Sequence, residues 1–479
     1  MWSDRLPEKR RQRLVERLRG IVPAPRPHAR GSKTPLRSGG KTEPSPLQVA
    51  EELREQEGFA WLDGAETGHR IFNRPLAVLS VRKGKATVTG PGGRARFQAG
   101  GLDLLDAAFA VWGGLGATLV GYLGYELGGE IETLPPPPPD DLGLPDLRLG
   151  LYDSLLRWHG RSWTLEATDA WRTHPAIEAE RALAAARRRG DPEVPEGRLA
   201  EHGVVSHPNR SGFEAAVSRV VERIASGEIF QMNLCRRLEA GLPAEHVWPL
   251  YLRLRQASPA ERGAFLDLGR GQAVLSISPE VFLTVKDREV ETRPIKGTRS
   301  RGANPRDDRA LARELLESEK DRAELTMIVD VARNDLGRVC ETGSIQVTAH
   351  AELMTLPTVH HTVSTIRGRL RPDVTPADLL RASFPPASIT GAPKIQAMAV
   401  IAAEEPRRRG PAMGALGWIS LAGDLDLAVA IRTAAAVKGR VAYHAGCGIV
   451  ADSDPELELA ESAAKARAFL AALGAVETA

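Results

Sequence analysis

Arg440-Val-Ala-Tyr-His-Ala-Gly-Cys-Gly-Ile-Val450 reads as a long strand that runs into a glycine-flanked turn. Two β-rich runs precede it, Ala412–Ser420 and Leu425–Val437, and a helical run, Pro455–Leu473, follows. Upstream, strand-like runs (Ile229–Glu239, Ala273–Ser276, Val281–Val285) alternate with longer helical ones (Pro305–Asp330, Pro376–Ala382, Ala392–Glu404), after a helix at Ser211–Ser226. The first half is built alike. Helices fit Leu47–Glu57, residues 102–112 and Ala176–Arg189, and strands fit Leu76–Val81, Lys85–Thr89, Thr118–Leu123 and Leu147–Trp158. There is no internal repeat, and Gly190-Asp-Pro-Glu-Val-Pro195 is the candidate linker between regions 46–195 and 205–473. The mixture predicts an α+β fold with large antiparallel sheets.

Composition narrows the class. Of 479 residues, 42% are hydrophobic and 26% charged, as in ordinary globular proteins. No stretch approaches the roughly 20 apolar residues of a membrane helix. The three cysteines (Cys235, Cys340, Cys447) are far apart and form no CxxC pair, which argues for a reducing, cytoplasmic setting and against structural zinc. No apolar secretory segment opens the chain. The net charge of +3 is uneven: residues 1–45 hold twelve Lys/Arg against four Asp/Glu, leaving 52 basic against 57 acidic in the remainder. The body therefore gives no reason to expect nucleic-acid binding, and region 1–45 is expected to be a basic, disordered extension in which Arg5 to Arg19 can form a short helix.

The run Glu291-Thr-Arg-Pro-Ile-Lys-Gly-Thr298 places Lys296 between a stiff Pro-Ile and a flexible Gly-Thr. With Arg293, Arg299 and Arg301 nearby, positive charge is expected to favour the neutral, nucleophilic amine. Taken alone, Lys296 is as readily one more solvated charge. Glu458, Glu461 and Lys465 share one face of the last helix, and alone read as an exposed Glu–Lys pair. Gly446-Cys447-Gly448 alone reads as a tight turn.

Their order changes these readings. Gly227-Glu-Ile-Phe-Gln-Met-Asn-Leu234, Ser278-Pro-Glu280, Lys320-Asp-Arg-Ala-Glu324 and Val331-Ala-Arg-Asn-Asp-Leu-Gly-Arg338 occur in sequence. They are followed by Ser388-Ile-Thr-Gly-Ala-Pro-Lys394, Ala430-Ile-Arg-Thr433 and His444-Ala-Gly-Cys-Gly-Ile-Val450. The set resembles the chorismate-utilising enzymes: anthranilate synthase component I, aminodeoxychorismate synthase component I, and the isochorismate and salicylate synthases. The resemblance is strong over residues 205–473 and weaker back to about residue 46, through Val120-Gly-Tyr-Leu-Gly-Tyr-Glu126. It implies two large antiparallel sheets packed face to face with helices outside.

Site roles follow from the same resemblance. It implies that Glu324 and Glu461 bind Mg²⁺, with Glu458 as a supporting carboxylate, a hard-oxygen set that suits this ion. Arg432, Lys465 and the backbone of Gly446 and Gly448 would hold the substrate's carboxylates. Glu280 would be the general acid for the departing C4 hydroxyl, with a pKa raised by burial. His361, in His361-Thr-Val-Ser364, would sit by the ring, Thr390 would line the pocket and Lys394 would support its loop. His360 reads as structural, and Cys447 as a small residue without chemistry.

Two positions separate the branches. Gln231 stands where water-adding relatives carry a basic lysine, so amination is favoured. Lys296 stands where anthranilate synthases carry alanine, and in aminodeoxychorismate synthases such a lysine attacks C2 before ammonia enters at C4. Ser388-Ile-Thr390 and Asn233 point the same way. The implied activity is Mg-dependent conversion of chorismate and ammonia to 4-amino-4-deoxychorismate, for 4-aminobenzoate and folate. Anthranilate synthase component I and a non-catalytic chorismate-binding subunit are the alternatives. None of the cysteines lies in a Gly-x-Cys-x-Gly nucleophile turn, so ammonia is expected from a separate glutamine amidotransferase subunit. Trp61-Leu-Asp-Gly64 stands where feedback-sensitive relatives carry Leu-Leu-Glu-Ser, which puts tryptophan binding in doubt.

Overall fold

A computed structural model of the chain describes residues 7–22, 31–36, 43–64, 68–168, 175–356 and 359–478. Among them, two twelve-stranded sheets carry the fold, and every pairing between their strands is antiparallel. Both sheets draw strands from both halves of the chain. In one, Ala60–Asp63 pairs with Arg262–Gly269; in the other, Thr118–Leu123 pairs with Ala415–Ser420.

Period-two alternation packs these sheets. Ala60, Leu62, Ala264, Leu266 and Val274 meet Val120, Tyr122, Leu416 and Ala428 in an apolar layer between the sheets. Their strand neighbours point outward to helices. Trp61, Phe265 and Leu275 join Leu250, Tyr251 and Phe469, whereas Leu119 and Leu123 join Leu104 and Leu105. Helices Val247–Ala257 and Pro455–Leu473 thus cover one sheet, and Gly101–Trp112 and Glu319–Gly337 the other.

Two expected elements are split, and each split serves the site. The run expected as one strand over Leu425–Val437 is two strands, Leu425–Val429 and Thr433–Val437, which belong to different sheets. The chain changes sheet at Arg432, whose φ of 48° makes the sharp bend. A second crossing connects Gln272–Ser278 to Val281–Lys286 and carries Pro279 and Glu280. The crossings are tied together: Ser278 Oγ donates to Val429 O (2.6 Å), Val429 N to Glu280 O (3.0 Å) and Ile277 N to Arg432 O (3.1 Å). The expected helix Pro305–Asp330 breaks at Ser318, whose hydroxyl accepts from Asp321 N (3.2 Å) and caps Glu319–Gly337.

The expectation of a disordered extension is corrected for residues 8–22 and 31–36. Glu8–Arg19 is a helix, with Leu14, Leu18, Ile21 and Val22 buried in the core beside Gly101–Trp112. Apolar residues at i, i+4, i+7 and i+8 make one stripe through the basic sequence, and each buried leucine contributes about 1.5–3 kcal/mol. Gly31–Leu36 pairs with Trp163–Thr168 at a sheet edge. The rest of residues 1–45, apart from Pro7 and residues 43–45, lies outside the described residues.

Candidate active site

Where the two crossings meet, a cavity of about 590 Å³ opens against the first turns of helix Pro455–Leu473. Its walls include Glu280, Lys296, Glu324, His361, Arg432, Gly446, Gly448, Glu458, Glu461 and Lys465. Ten of the twelve site residues expected from sequence thus share one space. The exceptions are Gln231, buried immediately behind the wall, and Thr390.

Lys296 owes its direction to a β-bulge. Strand Ile295–Ser300 pairs with Val359–Arg369, but the register slips between Lys296 and Thr298, leaving Gly297 unpaired at φ 71°. A bulge of this kind re-aims the side chain beside it. A Cβ at Gly297 would also stand 2.8 Å from Leu315 Cδ1, so only glycine fits. Lys296 Nζ lies 3.7 Å from Glu324 Oε2, and Gln231 Nε2 donates to that same oxygen at 3.4 Å. The three groups converge over Gly448, where an added Cβ would meet Gln231 Nε2 at 2.7 Å, Lys296 Nζ at 3.0 Å and Glu324 Oε2 at 3.2 Å. The arginines expected to crowd the amine hold carboxylates instead. Arg299 pairs with Glu314 and Asp321, Arg301 with Asp308, and Arg293 lies near Glu261. The charged group beside Lys296 is therefore a carboxylate.

Glu280 is 3% exposed. Burial raises its pKa to about 7, against the pull of the Ser388 hydroxyl and the cations of Lys296 and Arg432. A carboxyl in this range can donate a proton at neutral pH. His361 lines the same cavity, and burial followed by the Arg432 charge lowers its pKa to about 4, so the ring is neutral. Its Nδ1 lies 3.2 Å from Gly297 O, which only accepts, so Nδ1 carries the hydrogen. Nε2 then accepts from Arg432 Nη2 at 3.2 Å. Both nitrogens have protein partners, and His361 fixes the Arg432 guanidinium in the cavity wall.

Strand Arg440–Ile449 pairs with Gln231–Gly241 along one side, but its pairing with Thr433–Val437 stops at Tyr443. Residues 444–449 keep an open edge, and Ala445, Gly446 and Gly448 line the cavity. Lys465 Nζ donates to Gly446 O (2.9 Å) and pairs with Glu461 (2.8 Å), which ties the helix to this edge. A cation, an arginine fork and glycine backbone together suit a dianionic ligand.

The carboxylates fit a hard cation. Glu458 is 4% exposed, and its Oε1 accepts from Ser453 Oγ at 2.7 Å while Oε2 has no partner. Ligand atoms of Cys447, Glu458 and Glu461 lie within 4.8 Å of one another. Glu324 stands outside that cluster, beside Lys296. Cys447 Sγ donates to Glu458 O (3.0 Å), and burial drives its pKa far up, so it offers no thiolate.

Thr390 differs from expectation. It is fully buried, and its hydroxyl donates to Pro386 O and Ala387 O (both 3.1 Å), so Ser388 and Ile389 line the cavity in its place. Lys394 holds that loop through Asp335 (2.6 Å), Ser383 O (2.9 Å) and Pro385 O (3.0 Å). His360 is bonded to Asp308 (2.9 Å) and Thr355 (3.0 Å), outside the cavity. Sequence reasoning passed over His444, which lines the cavity two residues before Gly446 and hence on the same strand face. Among the described residues, no helix is long and apolar enough to cross a membrane.

Comparisons with known proteins agree with this geometry. The model for chorismate binding enzymes matches residues 57–471. Aminodeoxychorismate synthase component 1 of Escherichia coli is 39% identical over 352 residues, covering 73% of this chain and 76% of that protein. Anthranilate synthase component 1 of Thermus thermophilus is equally similar, 39% over 361 residues, covering 75% and 78%. The crystal structure of anthranilate synthase component I from Streptococcus pneumoniae superposes with a TM-score of 0.73 at 30% identity, over 84% of this chain and 91% of that one. The chain belongs to the chorismate binding enzymes.

Proposed function

We propose that this chain is an aminodeoxychorismate synthase component I, which converts chorismate and ammonia to 4-amino-4-deoxychorismate. One observation carries the choice: an amine, Lys296 Nζ, stands in the cavity wall between Glu324 and Gly448. Anthranilate synthases match the chain as closely as aminodeoxychorismate synthases do, so the reading rests on this residue.

Arg432, Lys465 and the open edge at Gly446 and Gly448 bind the substrate's carboxylates. Mg²⁺ would be held by Glu461 and Glu324, with Glu458 in support, and would neutralise the ring carboxylate when bound. The Lys296 nitrogen adds to C2; the two conjugated ring double bonds shift along the ring and the C4–O bond breaks. Glu280 gives its proton to the departing oxygen, which leaves as water. Ammonia then adds at C4, both double bonds return to their places and the C2–N bond to Lys296 breaks. The proton shed by the new amino group restores Glu280. Gln231, a neutral amide, supplies no base for water addition.

Ammonia comes from a glutaminase partner in this reading. Burial pushes the thiols of Cys235 and Cys340 up to about 12 and 11 and that of Cys447 higher still, and all three are buried. Such thiols do not serve as glutaminase nucleophiles. The test is the product formed from chorismate, Mg²⁺ and ammonium salt. The expected mass and chromatographic identity are those of 4-amino-4-deoxychorismate, which a lyase converts to 4-aminobenzoate. Direct release of anthranilate would assign the chain to the other branch.

A further inference from the structure

Glu458 is pinned at three points. Its N–H donates to Asp454 O (2.9 Å), its carbonyl accepts from Cys447 Sγ (3.0 Å) and its Oε1 accepts from Ser453 Oγ (2.7 Å). Oε2 is left without a partner, in a residue 4% exposed that lines the cavity. A carboxylate oxygen of Glu461 lies within 4.8 Å of one from Glu458. Two carboxylates brought this close, one of them with an unpaired buried oxygen, call for a cation between them.

Ser453 is itself held. Its hydroxyl oxygen accepts from Val450 N (3.0 Å), and its own N–H donates to Val450 O (3.0 Å). These two bonds close the turn between strand Arg440–Ile449 and helix Pro455–Leu473. A hydroxyl has a single proton to give, and here Glu458 Oε1 receives it. The last torsion of a glutamate side chain is broad, so an unrestrained carboxylate swings and offers either oxygen or both. The Ser453 bond removes that freedom, because Oε1 is spent and one oxygen remains.

The number of oxygens offered bears on the choice of ion. Ca²⁺ gathers many oxygens and often takes both from one carboxylate, whereas the smaller Mg²⁺ takes fewer and keeps waters. We propose that Ser453 is the positioning residue that makes Glu458 a one-oxygen ligand and so biases the cation site toward Mg²⁺ over Ca²⁺. Ser453 has this role only within the reading above, in which Glu458 and Glu461 belong to a Mg²⁺ site.

The test follows melting temperature against Mg²⁺ and against Ca²⁺ in the full-length parent, Ser453→Ala and Ser453→Thr, and takes an apparent Kd from each curve. Alanine removes the hydroxyl and threonine keeps it. Ser453→Ala should raise the Kd for Mg²⁺ about tenfold, as expected when the group orienting a metal ligand is lost. Its Kd for Ca²⁺ should rise less or fall, so the ratio of the two constants drops. Ser453→Thr should keep the parent's ratio. A role confined to the turn would lower the melting temperature by the same amount with and without either ion and leave both constants unchanged, which would overturn the assignment. Equal losses for the two ions in Ser453→Ala, or the same loss in Ser453→Thr, would overturn it as well. If Ser453→Ala does not fold, Ser453→Val set against Ser453→Thr makes the same comparison between side chains of equal shape. A parent that responds to neither ion would refute the cation site itself and Ser453's part in it. A parent that responds, with variants that match it, would refute the part of Ser453 alone.

Discussion

Two buried polar clusters lie within a few residues of each other along strand Gln231–Gly241, and they are built oppositely. In one, Arg409 donates to both Glu405 oxygens (2.6 and 2.8 Å), to Ile389 O (2.8 Å) and to Asn233 O (2.7 Å), with its guanidinium 4.4 Å from the Tyr125 ring centroid. Cys235 N donates to Glu405 as well (2.8 Å). In the other, at the cavity wall, Glu458 Oε2 and, immediately behind the wall, Gln231 Oε1 are buried without partners. Burial alone therefore does not mark function in this molecule. The first cluster spends its hydrogen-bonding capacity on the chain itself and holds the wall; the second keeps capacity in reserve for ligands.

That contrast is most strongly tested at Lys296. Lys296→Ala should lower turnover by orders of magnitude, since it removes the covalent route, yet leave the melting temperature near that of the parent. Residual amination should shift toward C2. A variant that unfolds would move Lys296 into the structural cluster.

Glu280 comes next. Its carboxyl, raised to about 7 by burial, must be protonated to act as an acid. kcat should therefore fall as pH rises through about 7. Glu280→Gln should cost roughly 10²- to 10⁴-fold and abolish that limb of the profile. A profile unchanged in the variant would assign the acid elsewhere.

Glu405→Gln probes the paired cluster. It leaves the Arg409 charge buried without a counter-ion, and breaking such a pair costs about 3–5 kcal/mol. Denaturant unfolding should show that loss, while the folded fraction retains its KM for chorismate. A stable variant with an altered KM would erase the distinction between the clusters.

How much of this was legible beforehand follows the same division. The motif order carried the fold and brought ten of the twelve site residues to one cavity, because the chemistry of those residues constrains their spacing. The sheet-to-sheet crossings at Glu280 and Arg432 were not legible, since Leu425–Val437 is continuous in β propensity and only the bend at Arg432 divides it. Thr390 was misplaced because a hydroxyl in a loop bonds its own backbone as readily as a ligand. A short helix within Arg5 to Arg19 was foreseen, but its packing on the body was hidden by its arginines, although Leu14, Leu18 and Ile21 already had helical spacing. Arg409 and Glu405 went unnoticed because an i, i+4 pair is ordinarily a surface pair, whereas this one is buried.

The smallest effect belongs to Glu458, and it separates the clusters most cleanly. Glu458→Gln keeps an oxygen for Ser453 and replaces the unpartnered oxygen by an amide nitrogen. No cation is stranded in the way Arg409 would be, so the expected change in stability is within about 1 kcal/mol. If Glu458 supports a Mg²⁺ site, the ion raises the melting temperature of the parent by mass action and does so less in the variant at equal concentration. Equal Mg²⁺-dependent shifts in both proteins would remove Glu458 from the cation site. A loss as large as that of Glu405→Gln would show that its carboxylate is part of the wall, and the contrast between spent and reserved polar groups would fail at the residue chosen to display it.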